Sequence, residues 1–417
     1  MKELTMKMRS CCSVAQVSVV LAVSSIAPVA YSAGFTLYEG SARGNAMGHA
    51  VVGLADDPSA IYYNPAGITQ LSGFEAMVGA TVIRPSTEIT TMTPDGPVTT
   101  ESVERDWVPP HAYAAYQLND KTWLGFGAYS RFGLGVAFDD NWPGRYNSYN
   151  SVIKTLTLNP NVAVKVTDKL SLAAGVSAMQ FDLKLQRKAP APLPGWPDVN
   201  FTLKGDSWGY GYNAAARYEF TKWMAFGLSY QSQVKQSVDG TADVQFSSSG
   251  ASGDVTLPDM VLSGLAFKPT EKLKVEIGAL YTGWSSYDEL AVEFDNPAAI
   301  GLASKDVVTP KDWSNVWRYQ AGMEYSLNKT VDLRLGYFYD ETPDPDNTVD
   351  FCIPADDREV YCVGAGFHWQ NWTLDLSYEY LIIHDRDVAA RPAEGIPPSE
   401  FRNGQAHLVG VSLSTKI

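Results

Sequence analysis

The chain has 417 residues, of which 45% are hydrophobic and only 19% are charged, and its formal net charge is −14. The acidic balance argues against nucleic acid as a partner. Beyond the N-terminus no apolar run reaches the ~18 residues that a transmembrane helix needs, which excludes a bundle of such helices. Four cysteines are too few for a small scaffold held together by disulfides.

Residues 1–32 have the pattern of a secretory signal peptide. A basic start is followed by an apolar stretch at 14–29, which serines and a proline interrupt. Ala30-Tyr31-Ser32 then places small residues where a signal peptidase requires them. We therefore expect an exported protein whose mature chain begins at Ala33, with an uncleaved membrane anchor as the alternative.

Residues 33–71 do not alternate as a strand would. The segment is rich in glycine and small residues, and it carries side chains that favour burial, among them Phe35, Leu37, Tyr62 and Tyr63. It precedes the first clear strand, which starts near Gly73. We expect this segment to fold as a hatch inside the lumen that the following strands enclose. An exposed periplasmic tail is the alternative.

From residue 72 to 417 the chain alternates apolar and polar residues with period two, which indicates β-strands. In residues 317–327 the apolar face begins with Trp317 and Tyr319, and the other face carries Arg318 and Glu324. Apolar faces that end in aromatic residues are typical of a lipid-facing band. Full charges on the opposite face would not be tolerated unpaired in the core of a soluble sandwich. The pattern therefore favours a membrane barrel.

Six short polar turns alternate with seven longer loops. The turns lie near residues 118–121, 166–169, 220–222, 269–271, 327–330 and 370–371, and the loops near 87–108, 138–151, 188–199, 239–253, 288–313, 341–357 and 388–404. These connections join about 14 strands, and a barrel in lipid must close because open edges would leave backbone groups unpaired. The sequence thus predicts an all-β, 14-stranded antiparallel transmembrane β-barrel, with an N-terminal hatch (plug), in the outer membrane of a Gram-negative bacterium.

The sequence offers no pattern of catalytic chemistry. Its five histidines lack a serine-centred motif, and there is no metal-ligand cluster, phosphate loop or nucleotide fingerprint. We expect neither an enzyme nor a cofactor or metal. Cys352 and Cys362 are the only cysteines after the predicted signal peptide. A local disulfide between them and two free thiols both remain open.

Two motifs carry a family resemblance. Residues 33–41 read AGFTLYEGS, and residues 55–67 read ADDPSAIYYNPAG. Together they resemble the N-terminal hatch of the FadL-type long-chain fatty acid transporters. Residues 130–134, 142–146, 158–163 and 284–290 are similar to later parts of the same family, in the same order. One departure is Arg131, which stands where proline is common in the family.

The resemblance implies a kink in strand 3 that opens the barrel wall sideways, beside the hatch. It places a hatch gate at Asn64, Pro65, Ala66 and Gly67, whose turn would line the wall gap. It places the strand-3 kink at Ser130, Arg131, Phe132, Gly133, Leu134 and Gly135. Glycines in a strand mark bends or bulges, although close packing against the hatch is the alternative here. Phe35, Leu37, Tyr62 and Tyr63 are the candidate contacts for a hydrophobic ligand.

The function implied is passive uptake of long-chain fatty acids or similar hydrophobic compounds through a hatch-gated lateral opening. The expected partners are a hydrophobic small molecule and outer-membrane lipid, and the family resemblance favours a monomer. A channel for aromatic hydrocarbons is the alternative from the same family. A general porin and a surface adhesin or receptor are the alternatives from other classes.

Overall fold

The computed structural model describes residues 34–190, 195–245 and 247–417. The predicted signal peptide lies outside these described residues. Within them, no helix combines the length and the apolar character needed to cross a membrane.

Fourteen antiparallel strands form one closed sheet in the described part of the chain, which confirms the predicted barrel. Strand β14 closes the barrel on β1, with pairing that runs from Glu75 and Lys416 to Ser86 and Gln405. Several strands are interrupted and consist of two pieces. The strands are β1 (Phe74–Thr93), β2 (Gly96–Glu101 and Pro110–Asn119), β3 (Thr122–Tyr129 and Gly133–Ala137), β4 (Asn150–Lys165), β5 (Leu170–Ala189), β6 (Val199–Thr221), β7 (Met224–Gln231 and Val234–Val244), β8 (Ser247–Leu257 and Met260–Thr270), β9 (Leu273–Thr282 and Glu289–Phe294), β10 (Asp306–Pro310 and Val316–Ser326), β11 (Val331–Asp340), β12 (Arg358–Trp369), β13 (Trp372–Ile383 and Arg386–Val388) and β14 (Ser399–Lys416).

The six predicted turns all join neighbouring strands at one rim, which we call the turn rim. Several predicted loops are shorter than expected because the strands continue past the apolar stretches. The prediction of a loop at 239–253 is wrong, since β7 and β8 pair there from Val234 and Leu257 to Val244 and Ser247. Within 288–313, the outer pieces of β9 and β10 pair with each other. Glycine, serine and aspartate suggested turns here, but the backbone ladder of the neighbouring strands continues through them.

The predicted inside and outside faces are confirmed. On β10, Arg318 and Glu324 are each 2% exposed and face the interior, whereas Trp317 and Tyr319 are 44% and 52% exposed on the outer surface. The same division holds on β13, where Glu379 is buried and Tyr378 is exposed. An apolar band therefore surrounds a polar interior, as a barrel in lipid requires.

Residues 34–72, which we call the N-terminal segment, contain short helices. They are α1 (Ala42–Ala46), α2 (Ala60–Tyr63) and a 3₁₀ turn at Pro65–Gln70; further 3₁₀ turns lie at Trp284–Ser286, Pro297–Ile300 and Pro392–Glu394. The Ser41 hydroxyl caps α1 by accepting from the Gly44 N–H, 3.0 Å away. Helices this short are not stable alone. They depend on their burial against the barrel strands, since α1 and α2 are buried throughout.

Candidate transport pathway

An ionic network joins the N-terminal segment to the inner wall. Arg43 donates to Glu324 on β10 at 2.8 Å and also to Asp56 and Asp57 within its own segment. Lys274 on β9 reaches both Asp56 and Glu324, at 3.1 and 2.8 Å. Arg334 on β11 continues the network to Glu324 and to Asp375, at 2.7 and 2.6 Å. We call these seven residues the lumen ion network. Arg43, Glu324, Arg334 and Asp375 are buried and the other three members are partly buried, so the members depend on one another for solvation.

Glu276 on β9 fixes a second point of the segment. Its carboxylate accepts the backbone N–H groups of Val52, Gly53 and Leu54, at 2.5, 3.0 and 2.8 Å. Arg217 on β6 donates to the Gly53 carbonyl at 2.9 Å. A turn without regular backbone pairing thus has its polar groups satisfied by barrel side chains, as a buried loop must.

The four residues of the predicted gate, Asn64 to Gly67, lie deep in the interior. Asn64 is fully buried; its side-chain amide donates to the carbonyls of Val52 and Ala216, and its oxygen accepts from the Ala66 N–H. A side chain on Gly67 would collide with Ala55, so only glycine fits there. These residues brace the segment against β6. They are absent from the lining of the wall cavity described below, and their role as a gate stays a prediction.

Strand β3 is interrupted at residues 130–132, where the sequence predicted a kink. Its first piece pairs with β2 on one side and β4 on the other, whereas its second piece, Gly133–Ala137, pairs only with β4. The N-terminal segment bonds to the interruption from inside: the Leu37 N–H donates to the Arg131 carbonyl, and the Gly133 N–H donates to the Phe35 carbonyl. The break in the wall is thus covered by the start of the described chain.

Strand β2 is also interrupted beside this point, at residues 102–109. Pairing between β2 and β3 ends at His111 and Tyr129. Above that pair, Trp107 bonds back to Ile83 on β1, and the Val103 N–H donates to the Ala137 carbonyl. The backbone pairing between β2 and β3 is therefore lost where both strands are interrupted. The predicted loop at 87–108 covers most of the β2 interruption, but the strand piece Gly96–Glu101 before it was not predicted.

A cavity of about 390 Å³ occupies this gap. The N-terminal segment contributes residues 34–39, β2 contributes Trp107 to Pro110, and β3 contributes Ser130 with residues 132–135. Strand β4 contributes four consecutive residues, of which Ile153 and Thr155 are buried and Lys154 and Leu156 are exposed. The volume of the cavity falls within the range of small-molecule sites.

The glycines of β3 permit close contacts along this path. A side-chain carbon on Gly127 would lie 2.9 Å from Ile61, and one on Gly133 would lie 2.7 Å from Leu37. At Gly135 the space is taken by the indole of Trp107. Close packing against the N-terminal segment, the alternative that the sequence left open, therefore accounts for Gly127 and Gly133.

The predicted ligand contacts divide into two groups. Phe35 and Leu37 line the cavity, and Phe35 packs against Phe132 and Trp284 with ring centroids 5.8 and 4.9 Å apart. Tyr62 and Tyr63 are outside the lining. They support it from behind, because their hydroxyls donate to the carbonyls of Leu37 and Tyr38 at 2.6 and 3.2 Å.

Sequence reasoning missed the polar residues of the cavity. Tyr38, Glu39, Arg358 and Glu379 all line its inner end. The guanidinium of Arg358 pairs with Asp340. The inward orientation of Glu379 could have been predicted, because Glu379 belongs to the polar face of the alternating stretch 372–380. Nothing in the sequence indicated that it would line the same cavity as Tyr38.

Neither Cys352 nor Cys362 takes part in a disulfide, and both are buried. The Cys362 sulfur lies 3.9 Å from a carboxylate oxygen of Glu379, inside the barrel. Cys352 belongs to the loop after β11, where the Cys352 N–H donates to Asp350. The disulfide that the spacing left open is therefore not formed in this structure.

Comparison with known families identifies the chain. The family model described as outer membrane protein transport protein (OMPP1/FadL/TodX) matches residues 23–416. The chain belongs to this family. It is 28% identical to the long-chain fatty acid transport protein of Escherichia coli O6:H1 (strain CFT073), over 94% of this chain and 96% of that protein. It is also 28% identical to outer membrane protein P1 of Haemophilus influenzae (strain ATCC 51907 / DSM 11121 / KW20 / Rd), over 84% and 86%.

Solved structures share the fold. A Pseudomonas aeruginosa FadL homologue superposes with a TM-score of 0.81 at 18% identity, covering 92% of this chain and 99% of that one. The P. putida toluene transporter TodX superposes with a TM-score of 0.69 at 16% identity, covering 90% and 98%. The FadL-family protein described here is thus an outer-membrane β-barrel of a Gram-negative bacterium and a member of a family of transport proteins.

Proposed function

We propose that this protein takes up long-chain fatty acids or similar hydrophobic compounds by passive diffusion. The ligand would enter the barrel from the rim opposite the turn rim and leave sideways through the cavity between β2 and β3. The N-terminal segment would act as the hatch that covers this exit. The observation that carries the proposal is the cavity lining, which includes the buried Ile153 and the exposed Leu156 of the same strand.

The physical argument concerns where an apolar molecule can go. The interior beside the hatch is filled by the lumen ion network, and an acyl chain placed there would have to disrupt buried charges. Along the cavity it meets Phe35, Leu37 and Leu134. Each methylene that stays out of water contributes about 0.8 kcal/mol. The side route therefore keeps the ligand in apolar surroundings until it reaches lipid.

The names of relatives support the same class of cargo. Curated relatives are named long-chain fatty acid transport proteins, and structural neighbours include toluene transporters. Uptake of aromatic hydrocarbons is therefore the second candidate function. Radiolabelled oleate and toluene, supplied to cells that lack the gene and carry it on a plasmid, would separate the two. Swelling of liposomes in small sugars would instead identify a general porin.

A disulfide across the gap tests the side exit directly. Pro110 and Ser130 both line the cavity, one position beyond the last β2–β3 pair at His111 and Tyr129. The double variant Pro110→Cys/Ser130→Cys should lose hydrophobic uptake when oxidised and regain it when reduced. The control is Ala112→Cys/Ala128→Cys, which joins two directly opposite residues in the intact ladder. Uptake that is unchanged by oxidation of the first pair would contradict the side exit.

If the N-terminal segment acts as a hatch, changes to its predicted gate residues must alter hydrophobic uptake. Deletion of Asn64 to Gly67 removes the amide bonds to Val52 and Ala216 that anchor it. Hydrophobic uptake should change, whereas a surface adhesin would keep its binding activity. Barrel folding is checked independently by the heat-dependent shift in gel mobility. Unchanged uptake by a folded deletion variant would refute the gating role.

A further inference from the structure

Two side chains cover one face of β3 beside the wall gap. Gly133 and Gly135 are two residues apart in the strand and therefore share that face. A side-chain carbon on Gly133 would lie 2.7 Å from Leu37 of the N-terminal segment. One on Gly135 would lie 1.9 Å from the indole of Trp107, which belongs to the interruption of β2. The two glycines thus let Leu37 and Trp107 lie directly against the backbone of β3, and all four residues line the cavity.

The backbone of Trp107 is fixed to β1, whereas its side chain reaches across to β3. The Trp107 N–H donates to the Ile83 carbonyl at 2.9 Å, and the Ile83 N–H donates to the Trp107 carbonyl at 2.8 Å. The Thr81 N–H donates to the carbonyl of Pro109, two residues further along, at 3.3 Å. An indole that turned about its side-chain bonds would therefore uncover Gly135 and leave these backbone bonds intact.

The indole is held against β3 by its shape rather than by a hydrogen bond. The Nε1 atom of Trp107 is buried and has no hydrogen-bond partner among the described residues. A buried donor without a partner is unfavourable, and it regains a partner when it reaches water. The ring can therefore leave Gly135 without losing a polar contact, and its N–H gains one when it does.

We propose that Trp107 is the residue that sets the width of the side exit. In the closed position its ring lies on the backbone of Gly135. A slender acyl chain passes after a small displacement of the ring, whereas a cargo with a bulky end requires the whole ring to leave Gly135. This inference rests on the proposed function, and it assigns the limit on the cross-section of the cargo to one side chain outside the hatch.

Uptake of two cargoes by intact cells tests this assignment. Radiolabelled oleate is slender, whereas pyrene-labelled dodecanoate carries a fused-ring group at the end of its chain. Trp107→Ala should raise the ratio of pyrene-labelled to oleate uptake about tenfold or more, because steric changes of one methylene in hydrophobic pockets shift specificity by about 10- to 200-fold. The matched control is Trp317→Ala, which removes an indole that is exposed on the outer surface and lies outside the lining. The control should leave the ratio unchanged.

Gly135→Ala is the second variant, because it acts from the other side of the same contact. Its methyl group would collide with the indole of Trp107, so the ring must leave β3 and the ratio should rise again. In the Trp107→Ala background the methyl group meets no ring, so Gly135→Ala should add nothing further. The heat-dependent shift in gel mobility verifies that each variant folds. An unchanged ratio in folded Trp107→Ala, or independent effects of the two substitutions, would overturn the inference.

Failure of the proposed function gives a different result and would overturn both proposals. Cells with the wild-type protein would then take up neither cargo faster than cells that lack the gene. Oxidation of the Pro110→Cys/Ser130→Cys variant would also have no effect. Uptake that is normal and sensitive to this disulfide, with a ratio that Trp107→Ala leaves unchanged, would instead contradict the role of Trp107 alone.

Discussion

Replacing Glu324 by glutamine should release the N-terminal segment from the wall. The carboxylate of Glu324 receives Arg43, Lys274 and Arg334, at 2.8, 2.8 and 2.7 Å. Glutamine has nearly the same shape, so the change removes one negative charge and leaves three cations around a neutral group. Breaking a buried ion pair on one side costs ~3–5 kcal/mol. The ratio of docked to undocked segment should therefore fall roughly a hundredfold to several thousandfold.

Hydrogen exchange with mass spectrometry measures this ratio, since amides of the segment exchange only when it leaves the wall. The informative peptide contains Ala42, whose N–H donates to the Ser412 hydroxyl at 2.8 Å. The matched control is Glu293→Gln, which removes an ion pair to Lys305 whose side chains are 51% and 57% exposed. An exposed pair contributes ~0–1 kcal/mol, so the control should leave exchange unchanged. Equal protection of the Ala42 peptide in wild type and Glu324→Gln would refute the view that this network holds the segment.

Three further predictions concern the same interior. Arg131→Gln should lower barrel stability by ~1–3 kcal/mol, because the guanidinium bonds to backbone carbonyls at the breaks of β7 and β8, and unfolding in urea would measure it. Acidification should destabilise the wild type, because burial lowers the pKa of His49 to about 3, whereas the pKa of histidine in the unfolded chain is ~6.5. The free energy of unfolding should therefore fall as the pH drops below that unfolded value, by ~2 kcal/mol at pH 5. His49→Gln should remove this part of the pH dependence of the unfolding midpoint. Gly127→Val should overpack against Ile61 and cost ~1–3 kcal/mol in the same urea assay, whereas Ala128→Val on the lipid face should not.

The barrel could be predicted because each strand must satisfy lipid on one face and the lumen on the other. Trp317 and Arg318 are adjacent in sequence, so in a strand their side chains point to opposite faces of the barrel wall. Trp317 is exposed on the outer surface, whereas Arg318 is buried in the polar interior. The interruption of β3 was also predicted, from the family resemblance of residues 130–134 and from the glycines of this strand, which mark bends or bulges. The ends of the strands were not predictable, since the outer pieces of β7 and β8 have the composition of loops.

The candidate site was harder to predict because it depends on contacts between distant parts of the chain. The interruption of β2 has no marker except Pro109 and Pro110, and it matters only because it lies beside the break in β3. Asn64 was assigned to the gap by resemblance, yet its side chain contacts β6 instead. Tyr38 and Glu379 are separated by most of the chain, and they line one cavity because the N-terminal segment docks inside the barrel. Such pairs cannot be derived from periodicity.

The distribution of charge within the barrel supports the proposed side exit, because it makes a path along the barrel axis unfavourable for an apolar ligand. The seven residues of the lumen ion network lie beside β9, β10, β11 and β13. None of them lines the wall cavity, which extends from β2, β3 and β4 to residues of β1 and of β11 to β14. A hydrophobic ligand that followed the barrel axis would have to displace buried ion pairs at a cost of several kcal/mol each. A ligand that turned towards β3 would meet Phe35, Leu37 and Phe132. Under the proposed function, the segment that contributes Arg43, Asp56 and Asp57 to the ion network also lines the lateral route with Phe35 and Leu37, so its docking would both close the lumen to polar solutes and build the path for apolar ones.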